Sequence, residues 1–143
     1  MTNLKKKIKV AFIYKPCKTL TTENFFTLSY HFFMNAIKRN DEIDISYFPC
    51  KNSFDTTKLV GKYDVILLFE NWYNCVPDEL LNIKKVGIPV IAKVGDLHAS
   101  NLYDPETFHE KYNISGYFGY QNIKNFYEYF PSRYIYETVI FGL

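Results

Sequence analysis

The sequence predicts a single α/β domain with a doubly wound, mostly parallel six-stranded sheet and helices on both faces, in three layers. Two observations lead to this fold class. Apolar runs typical of buried strands recur along the chain, with centres near residues 11, 67 and 91, and helical patterns separate them. The length of 143 residues suits one domain with an ordinary core, so we expect residues 1–143 to form one unit.

The predicted strands are of two kinds. Residues 8–14, 63–69 and 88–94 are almost entirely apolar, which is typical of strands covered on both faces of a parallel sheet. Residues 43–48 alternate apolar and polar side chains, which indicates a half-exposed strand near a sheet edge. Two further apolar runs, at 116–120 and 134–141, complete the set.

Helical patterns fill the intervals between these strands. Residues 22–39 begin with an N-cap hydroxyl and repeat apolar side chains at three- and four-residue spacing. Asp104 as N-cap and Pro105 at the first position open another helix, with Phe108 and Tyr112 on its inner face. The remaining predicted helices are one opened by Pro77, Asp78 and Glu79, with Leu80, Leu81 and Ile83 facing inward and Gly87 ending it, and one over 121–130, ended by Pro131.

Composition and charge exclude several classes of function. The net charge of +2 and the pI near 8.3 do not favour nucleic acid as a partner, and the lysines at 5–7 are expected to be a solubilising flank. The longest uninterrupted run of aliphatic residues and phenylalanine, 65–69, is far shorter than the roughly 20 residues that span a bilayer, so a cytoplasmic location is expected. Cys17, Cys50 and Cys75 form no C-x-x-C pair, so neither a disulfide framework nor a zinc site is indicated.

Loops that follow the strands carry the candidate binding residues, because ligands of doubly wound sheets bind at the carboxyl ends of the strands. After the first strand come Lys15, Thr19, Thr21 and Thr22, with no glycine among residues 15–22, which excludes both the G-x-G-x-x-G and the Walker phosphate loops. Hydroxyls and lysines before a helix suit an anion or a hydroxyl-rich ligand, although the same residues also serve as ordinary helix caps.

After the third strand come Asn71, Trp72 and Tyr73. A tryptophan beside amides suits stacking on a sugar or another flat ring, with the amides bonding hydroxyls. The alternative is a tryptophan that packs over a helix end.

After the fourth strand come Gly95, Asp96 and His98, in the densest polar cluster of the chain. His98 is a candidate catalytic residue, as a general base or a hydrogen-bond partner near neutral pH, and Asp96 could orient it or cap the following turn. The Asp-x-His spacing alone does not make a metal site, because His31 and His109 fall in predicted helices and no second ligand cluster is found. No metal is therefore expected.

Three stretches carry a family resemblance. They are Tyr63-Asp64-Val65-Ile66 at the third strand, Gly87-Ile88-Pro89-Val90-Ile91 at the fourth strand with the His-bearing loop after it, and the segment from Tyr129-Phe130-Pro131 to Val139-Ile140-Phe141-Gly142-Leu143. Together they resemble the N-terminal, acceptor-side domain of glycosyltransferases with two Rossmann domains, the GT-B architecture, as in family 1/4-like enzymes.

The resemblance implies that the chain is the N-terminal half of a two-domain, Rossmann-like transferase. The domain would hold a sugar or glycan acceptor and contribute His98 to the transfer site. The nucleotide-sugar donor would bind mainly to a C-terminal domain that this sequence lacks, so the isolated domain would catalyse nothing. No cofactor is implied, and an acceptor on a lipid carrier would bring the domain to the membrane surface.

Two other interpretations remain open. The chain also resembles a flavodoxin-like FMN-binding module in length, in its threonine-rich first loop, in Trp72 as a ring that could cover the flavin, and in Gly95 and Asp96 with Tyr103 as a second flavin loop. The absence of glycine from the first loop and a final predicted strand, where flavodoxins have a helix, argue against it. Because 19% of the residues are aromatic, a protein-interaction module is a third interpretation.

Overall fold

The computed structural model describes residues 5–16, 36–69, 75–95, 97 and 104–139. Residues 36–39 are helical, Thr56–Leu59 form a 3-10 turn, and two helices follow, α1 (Pro105–Tyr112) and α2 (Ile123–Tyr129). The strands within these residues are β1 (Ile8–Tyr14), β2 (Ile43–Pro49), β3 (Ser53–Asp55), β4 (Val65–Phe69), β5 (Glu79–Leu81), β6 (Val90–Val94), β7 (Ile114–Gly119) and β8 (Tyr136–Thr138).

Six of these strands form one sheet in the order β2-β1-β4-β6-β7-β8, and neighbouring strands pair in parallel throughout. This arrangement confirms the predicted α/β, Rossmann-like fold class. The strand order reverses at β1, because β2 lies on one side of it and β4, β6, β7 and β8 lie on the other. Among the described residues, no helix is both long and apolar enough to cross a bilayer.

The apolar runs form the centre of the sheet. β1 has the predicted bounds, and β4 and β6 each begin two residues later than predicted. β2 extends one residue further than predicted and lies at the sheet edge, as its alternation indicated. β7 begins two residues earlier and ends one residue earlier than predicted, and β8 covers 136–138 of the predicted 134–141, of which residues 140 and 141 lie outside the described part of the chain.

The prediction of a helix that begins at Pro77 is wrong. Glu79–Leu81 instead form β5, which pairs in parallel with β3 in a small second sheet. The Thr56 hydroxyl donates to the Leu81 carbonyl (2.7 Å), and the Asn82 amide donates to the Asp55 carboxylate (3.1 Å). Asn82 has a φ of 64°, which a right-handed helix cannot accommodate, and Leu81 is exposed rather than inward-facing.

The helix α1 begins as predicted. The Asp104 side chain accepts a hydrogen bond from the Glu106 amide (3.2 Å), Pro105 occupies the first position, and Phe108 and Tyr112 are buried. In α2, Asn122 is the N-cap and accepts from the Lys124 amide (2.8 Å), so the helix is shorter than the predicted 121–130. The helical residues 36–39 agree with the helix predicted over 22–39, and residues 22–35 lie outside the described part of the chain.

Aromatic rings form much of the core between β7, α2 and β8. The Phe126 ring stacks on Tyr136 at 4.1 Å between centroids and on Phe130 at 4.5 Å, and Tyr117 lies within 6 Å of Phe126 and of Phe130, at 5.8 and 5.6 Å. These four rings are buried. A substantial part of the aromatic content therefore packs the interior beneath the strands β7 and β8.

His109 belongs to the edge of this aromatic core. Its ring lies 3.9 Å from the Tyr134 ring with an interplanar angle of 5°, and its Nδ1 is 3.0 Å from the Tyr117 hydroxyl. Burial lowers the pKa of His109 below its usual value of 6.5, and the charge of Arg133 lowers it further, whereas the charge of Glu110 raises it. The neutral imidazole is therefore the form that the folded protein prefers.

We expect the protein to lose stability as the pH falls below about 6.5, because the unfolded chain then binds a proton that the folded His109 resists. The stability contributed by the neutral His109 is fully present above the pKa of this residue in the unfolded chain. It is lost as the pH falls through the lower pKa of His109 in the folded protein. His109→Phe keeps a stacked ring without a titrating group, so its urea midpoint should decline less between pH 7 and pH 5.5. Parallel pH profiles for the two proteins would contradict the assignment.

Candidate functional site

The carboxyl ends of the parallel strands meet at one edge of the sheet, which we call the carboxyl edge. It comprises the last residues of the strands and those that directly follow them, with Tyr14, Phe69, Val94 and Gly119 ending β1, β4, β6 and β7. In sheets of this kind, ligands bind at this edge where the strand order reverses. The reversal lies between β1 and β4, so this part of the carboxyl edge is the candidate site.

Two of the predicted site residues, Lys15 and Gly95, are described, and both lie at the carboxyl edge, directly after β1 and β6. The other predicted site residues lie outside the described part of the chain, and their roles stay predictions. They are Thr19, Thr21, Thr22, Asn71, Trp72, Tyr73, Asp96 and His98.

The ammonium of Lys15 forms an ion pair with Asp78, with 2.6 Å between Nζ and Oδ1. The Lys15 side chain is 18% exposed and that of Asp78 is 59% exposed. The Lys15 amide also donates to the Cys75 carbonyl (2.8 Å), which attaches the segment 75–78 to the end of β1. An anion that binds to Lys15 must therefore compete with the Asp78 carboxylate.

A second anchor holds the segment 75–78 from the side of α1. The Tyr112 hydroxyl donates to the Pro77 carbonyl at 2.6 Å in a buried environment. Burial, together with the nearby charge of Asp78, raises the pKa of Tyr112 to about 12. The tyrosine thus remains a neutral donor at physiological pH, and Asp78 is held beside Lys15 by contacts on both sides of its loop.

Gln121 connects the ends of β6 and β8. Its side-chain amide donates to the Gly95 carbonyl (3.2 Å), and its own carbonyl accepts from the hydroxyls of Tyr136 (2.8 Å) and Thr138 (3.0 Å). The first of these bonds attaches Gly95, from which the predicted catalytic loop starts, to Gln121 beyond the end of β7. Leu97, within that loop, is buried.

The ends of β6 and β7 also approach each other closely. A Cβ atom built on Gly119 would lie only 2.4 Å from the Val94 carbonyl oxygen and 3.2 Å from the Tyr136 hydroxyl. Only glycine fits at this position without moving the backbone. The backbone of β7 therefore helps to define where β6 ends and where the loop after Gly95 begins.

Lys93, in β6, places a cation inside the carboxyl edge. The residue is 4% exposed, and its ammonium nitrogen lies 5.6 Å from the centroids of both the Phe69 and the Tyr120 rings. The strand register places Lys93 beside Phe69 on β4 and Phe118 on β7. Tyr120 follows two residues after Phe118, so Lys93 and its two contacting rings, Phe69 and Tyr120, lie on the same face of the sheet.

Burial of this ammonium is costly for folding. The loss of hydration costs several kcal/mol, and a cation–π contact returns about 0.5 to 2 kcal/mol. Among the residues that the structure describes, Lys93 is the one charged residue in the buried class. Sequence reasoning missed it, and the signal that could have found it is a single charged residue inside the apolar run 88–94.

The described residues of the carboxyl edge include two lysines, a hydrogen-bonded backbone carbonyl and aromatic rings. In the described ranges, no three His, Cys, Asp or Glu side chains gather in a group that could hold a metal ion. Comparison of the chain with protein-family models, curated proteins and solved structures gives no significant match. The carboxyl edge itself is therefore the feature from which a function can be inferred.

Gly119→Ala should destabilise the protein by about 1 to 3 kcal/mol, because the new methyl group would overlap the Val94 carbonyl oxygen and force the backbone to shift. Gly116→Ala, in the same strand, is the matched control. Its Cβ would meet its nearest atoms at 3.8 Å, so we expect an unchanged or slightly raised stability. Urea unfolding of both variants measures the difference, and equal midpoints would show that β6 and β7 are not held by this approach.

Proposed function

We propose that the chain is the acceptor-side domain of a GT-B type glycosyltransferase, which moves a sugar from a nucleotide-sugar donor to an acceptor hydroxyl. The observation that supports the proposal is the hydrogen bond that the Gln121 side-chain amide donates to the Gly95 carbonyl at the carboxyl edge (3.2 Å). Asp96 and His98 follow this anchor directly in the sequence. A catalytic loop benefits from a first residue held by such a bond, because small displacements of a proton-transferring group reduce the reaction rate.

In this proposal, His98 accepts the proton of the acceptor hydroxyl as that oxygen bonds to the anomeric carbon of the donor sugar, while the bond from this carbon to the diphosphate oxygen breaks and the nucleoside diphosphate leaves with the bonding electrons. Asp96 orients the imidazole, and Asn71, Trp72 and Tyr73 form a platform for the sugar ring. Lys15, with Thr19, Thr21 and Thr22, provides a polar wall beyond β1. The nucleotide-sugar binds mainly to a second, C-terminal domain, so activity requires both domains.

A flavodoxin-like FMN-binding module is the second candidate, and one specific observation favours it. The first five strands of the main sheet along the chain follow the order 2-1-3-4-5, which is the order of flavodoxin-like sheets, with β8 added beyond β7. In such sheets, FMN binds where the order reverses, which here lies between β1 and β4. The lack of glycine among residues 15–22 keeps this candidate second, because a close phosphate contact by backbone amides favours glycine.

Trp72 is the only tryptophan of the chain, so its fluorescence reports on the loop after β4. Titration with methyl glycosides and short oligosaccharides should change its emission saturably at millimolar concentration, as expected for a weak acceptor site. N-acetyltryptophanamide in the same solutions corrects for collisional quenching. Quenching of flavin emission by micromolar protein would instead support the FMN module, and no response to either ligand class would contradict both candidates.

His98→Ala in the product of the complete gene should lower transferase turnover about 10²-fold or more, the scale of a lost acid-base group. His109→Phe is the control, because it removes an imidazole that packs against the aromatic core. The measurement is the rate of sugar transfer from labelled nucleotide-sugar at pH 7. Wild-type turnover in His98→Ala would remove His98 from the mechanism.

A further inference from the structure

We propose that the amino ends of the strands β1, β4 and β6 form a surface that binds an anionic lipid bilayer. These ends lie at the edge of the sheet opposite the carboxyl edge, because the three strands are parallel. Exposed lysines are concentrated in the segments that lead into them. We call these lysines the basic surface: Lys6, Lys7, Lys62, Lys84 and Lys85. The inference does not depend on the transferase proposal.

The sheet brings these distant parts of the sequence together. β1 pairs with β4, and β4 pairs with β6. Neighbouring strands lie about 4.8 Å apart, so β1 and β6 are separated by only about 10 Å across the sheet. The Asp64 amide donates to the Lys9 carbonyl (2.8 Å), and the Ile66 amide donates to the Pro89 carbonyl (2.9 Å), which joins the three amino ends.

The charge of the basic surface is largely uncompensated. Within the described ranges, none of its five side chains forms an ion pair, whereas the neighbouring Lys5 pairs with Glu42. Asp64 is the carboxylate in these segments, and its Oδ2 accepts a hydrogen bond from the Lys9 amide (2.8 Å). The fold therefore turns a short basic flank at residues 5–7 into part of a broader positive surface.

Two aliphatic side chains lie among these lysines and reach solvent. Ile8, directly after Lys7, is 51% exposed, and Val60, two residues before Lys62, is 52% exposed. Proteins that bind at a membrane surface combine lysines, which attract anionic headgroups, with apolar side chains that enter the headgroup region. The basic surface and its two aliphatic neighbours have this composition.

The same composition favours a bilayer over a nucleic acid. Lysine is a hydrated point charge that needs no fixed geometry in its partner, as suits mobile lipid headgroups. Nucleic-acid recognition relies more on arginine forks and on rings that stack on bases. The basic surface contains neither an arginine nor an aromatic residue.

Binding at this edge also sets the orientation of the protein. β1 has seven residues, so its carboxyl end lies about 20 Å from its amino end. The candidate site at the carboxyl edge would then face away from the bilayer, and its ligands would come from the water.

The test is cosedimentation with vesicles of phosphatidylcholine, with and without phosphatidylserine. The double variant Lys84→Gln with Lys85→Gln removes two charges of the basic surface. The double variant Lys51→Gln with Lys124→Gln is the matched control, because it removes two exposed lysines that follow β2 and Asn122, away from the basic surface. Both variants have the same net charge, and their urea midpoints check that they fold.

The wild type should bind the vesicles that contain phosphatidylserine and dissociate as salt is added. Each lysine near an anionic surface contributes about 5-fold, so loss of Lys84 and Lys85 should weaken binding about 25-fold. The control pair should bind nearly as the wild type does. No binding by the wild type, or equal loss in both variants, would overturn the proposal.

A change in apolar surface separates the bilayer from a nucleic acid. Val60→Ser should weaken vesicle binding about 5-fold, and Ile123→Ser, which changes a similarly exposed residue at the start of α2, should not. Binding to a single-stranded RNA oligonucleotide that falls with the Lys84 and Lys85 changes but not with Val60→Ser, without vesicle binding, would overturn the proposal and indicate a nucleic-acid partner.

A measurement on the wild type alone covers the case in which the Lys84 and Lys85 variant does not fold. Vesicles with a nitroxide-labelled lipid should broaden the amide resonances of Lys7, Lys62 and Lys85 and leave those of Gly95 and Gly119 sharp. Broadening confined to the carboxyl edge would contradict the proposal. Because these vesicles carry no sugar, failure here leaves the transferase proposal standing, and failure of the sugar titration leaves this one standing.

Discussion

The close approach between the Val94 carbonyl and the backbone of Gly119 is the constraint on which the carboxyl edge depends. It brings the ends of β6 and β7 together at a distance that no side chain can occupy. Gln121, two residues later, then reaches the Gly95 carbonyl and accepts bonds from Tyr136 and Thr138. A single glycine thus allows the ends of the neighbouring strands β6, β7 and β8 to lie close together.

The two lysines of this edge illustrate different ways to hold a positive charge. Lys15 is paired with a largely exposed carboxylate, an arrangement that contributes about 0 to 1 kcal/mol and weakens with salt. Lys93 lies between the rings of Phe69 and Tyr120. A cation–π contact stabilises an ammonium most where that ammonium is already poorly hydrated. The first arrangement orders a loop, and the second keeps a lysine within a buried strand at a cost in stability.

The parts of the fold that the sequence predicted correctly are those governed by local or strongly patterned physics. β1 is apolar along nearly its whole length and has the predicted bounds, and α1 follows from the cap at Asp104 with Pro105 behind it. β5 could not be predicted in this way, because three residues acquire their strand conformation from pairing with β3, about 25 residues earlier in the chain. The left-handed Asn82 depends on the same pairing through its bond to Asp55.

Prediction of the site met a similar limit. The rule that ligands bind at the carboxyl ends of strands points to residues in the loops, such as Lys15 and Gly95, which lie at this edge while their roles stay predictions. Lys93 lies within β6 and Gln121 follows β7, and both make contacts at the same edge. Those contacts depend on which strands are neighbours, which the sequence alone does not reveal. A charged residue inside a buried strand is therefore as informative as a polar loop, because its burial costs free energy that contacts with neighbouring groups must offset.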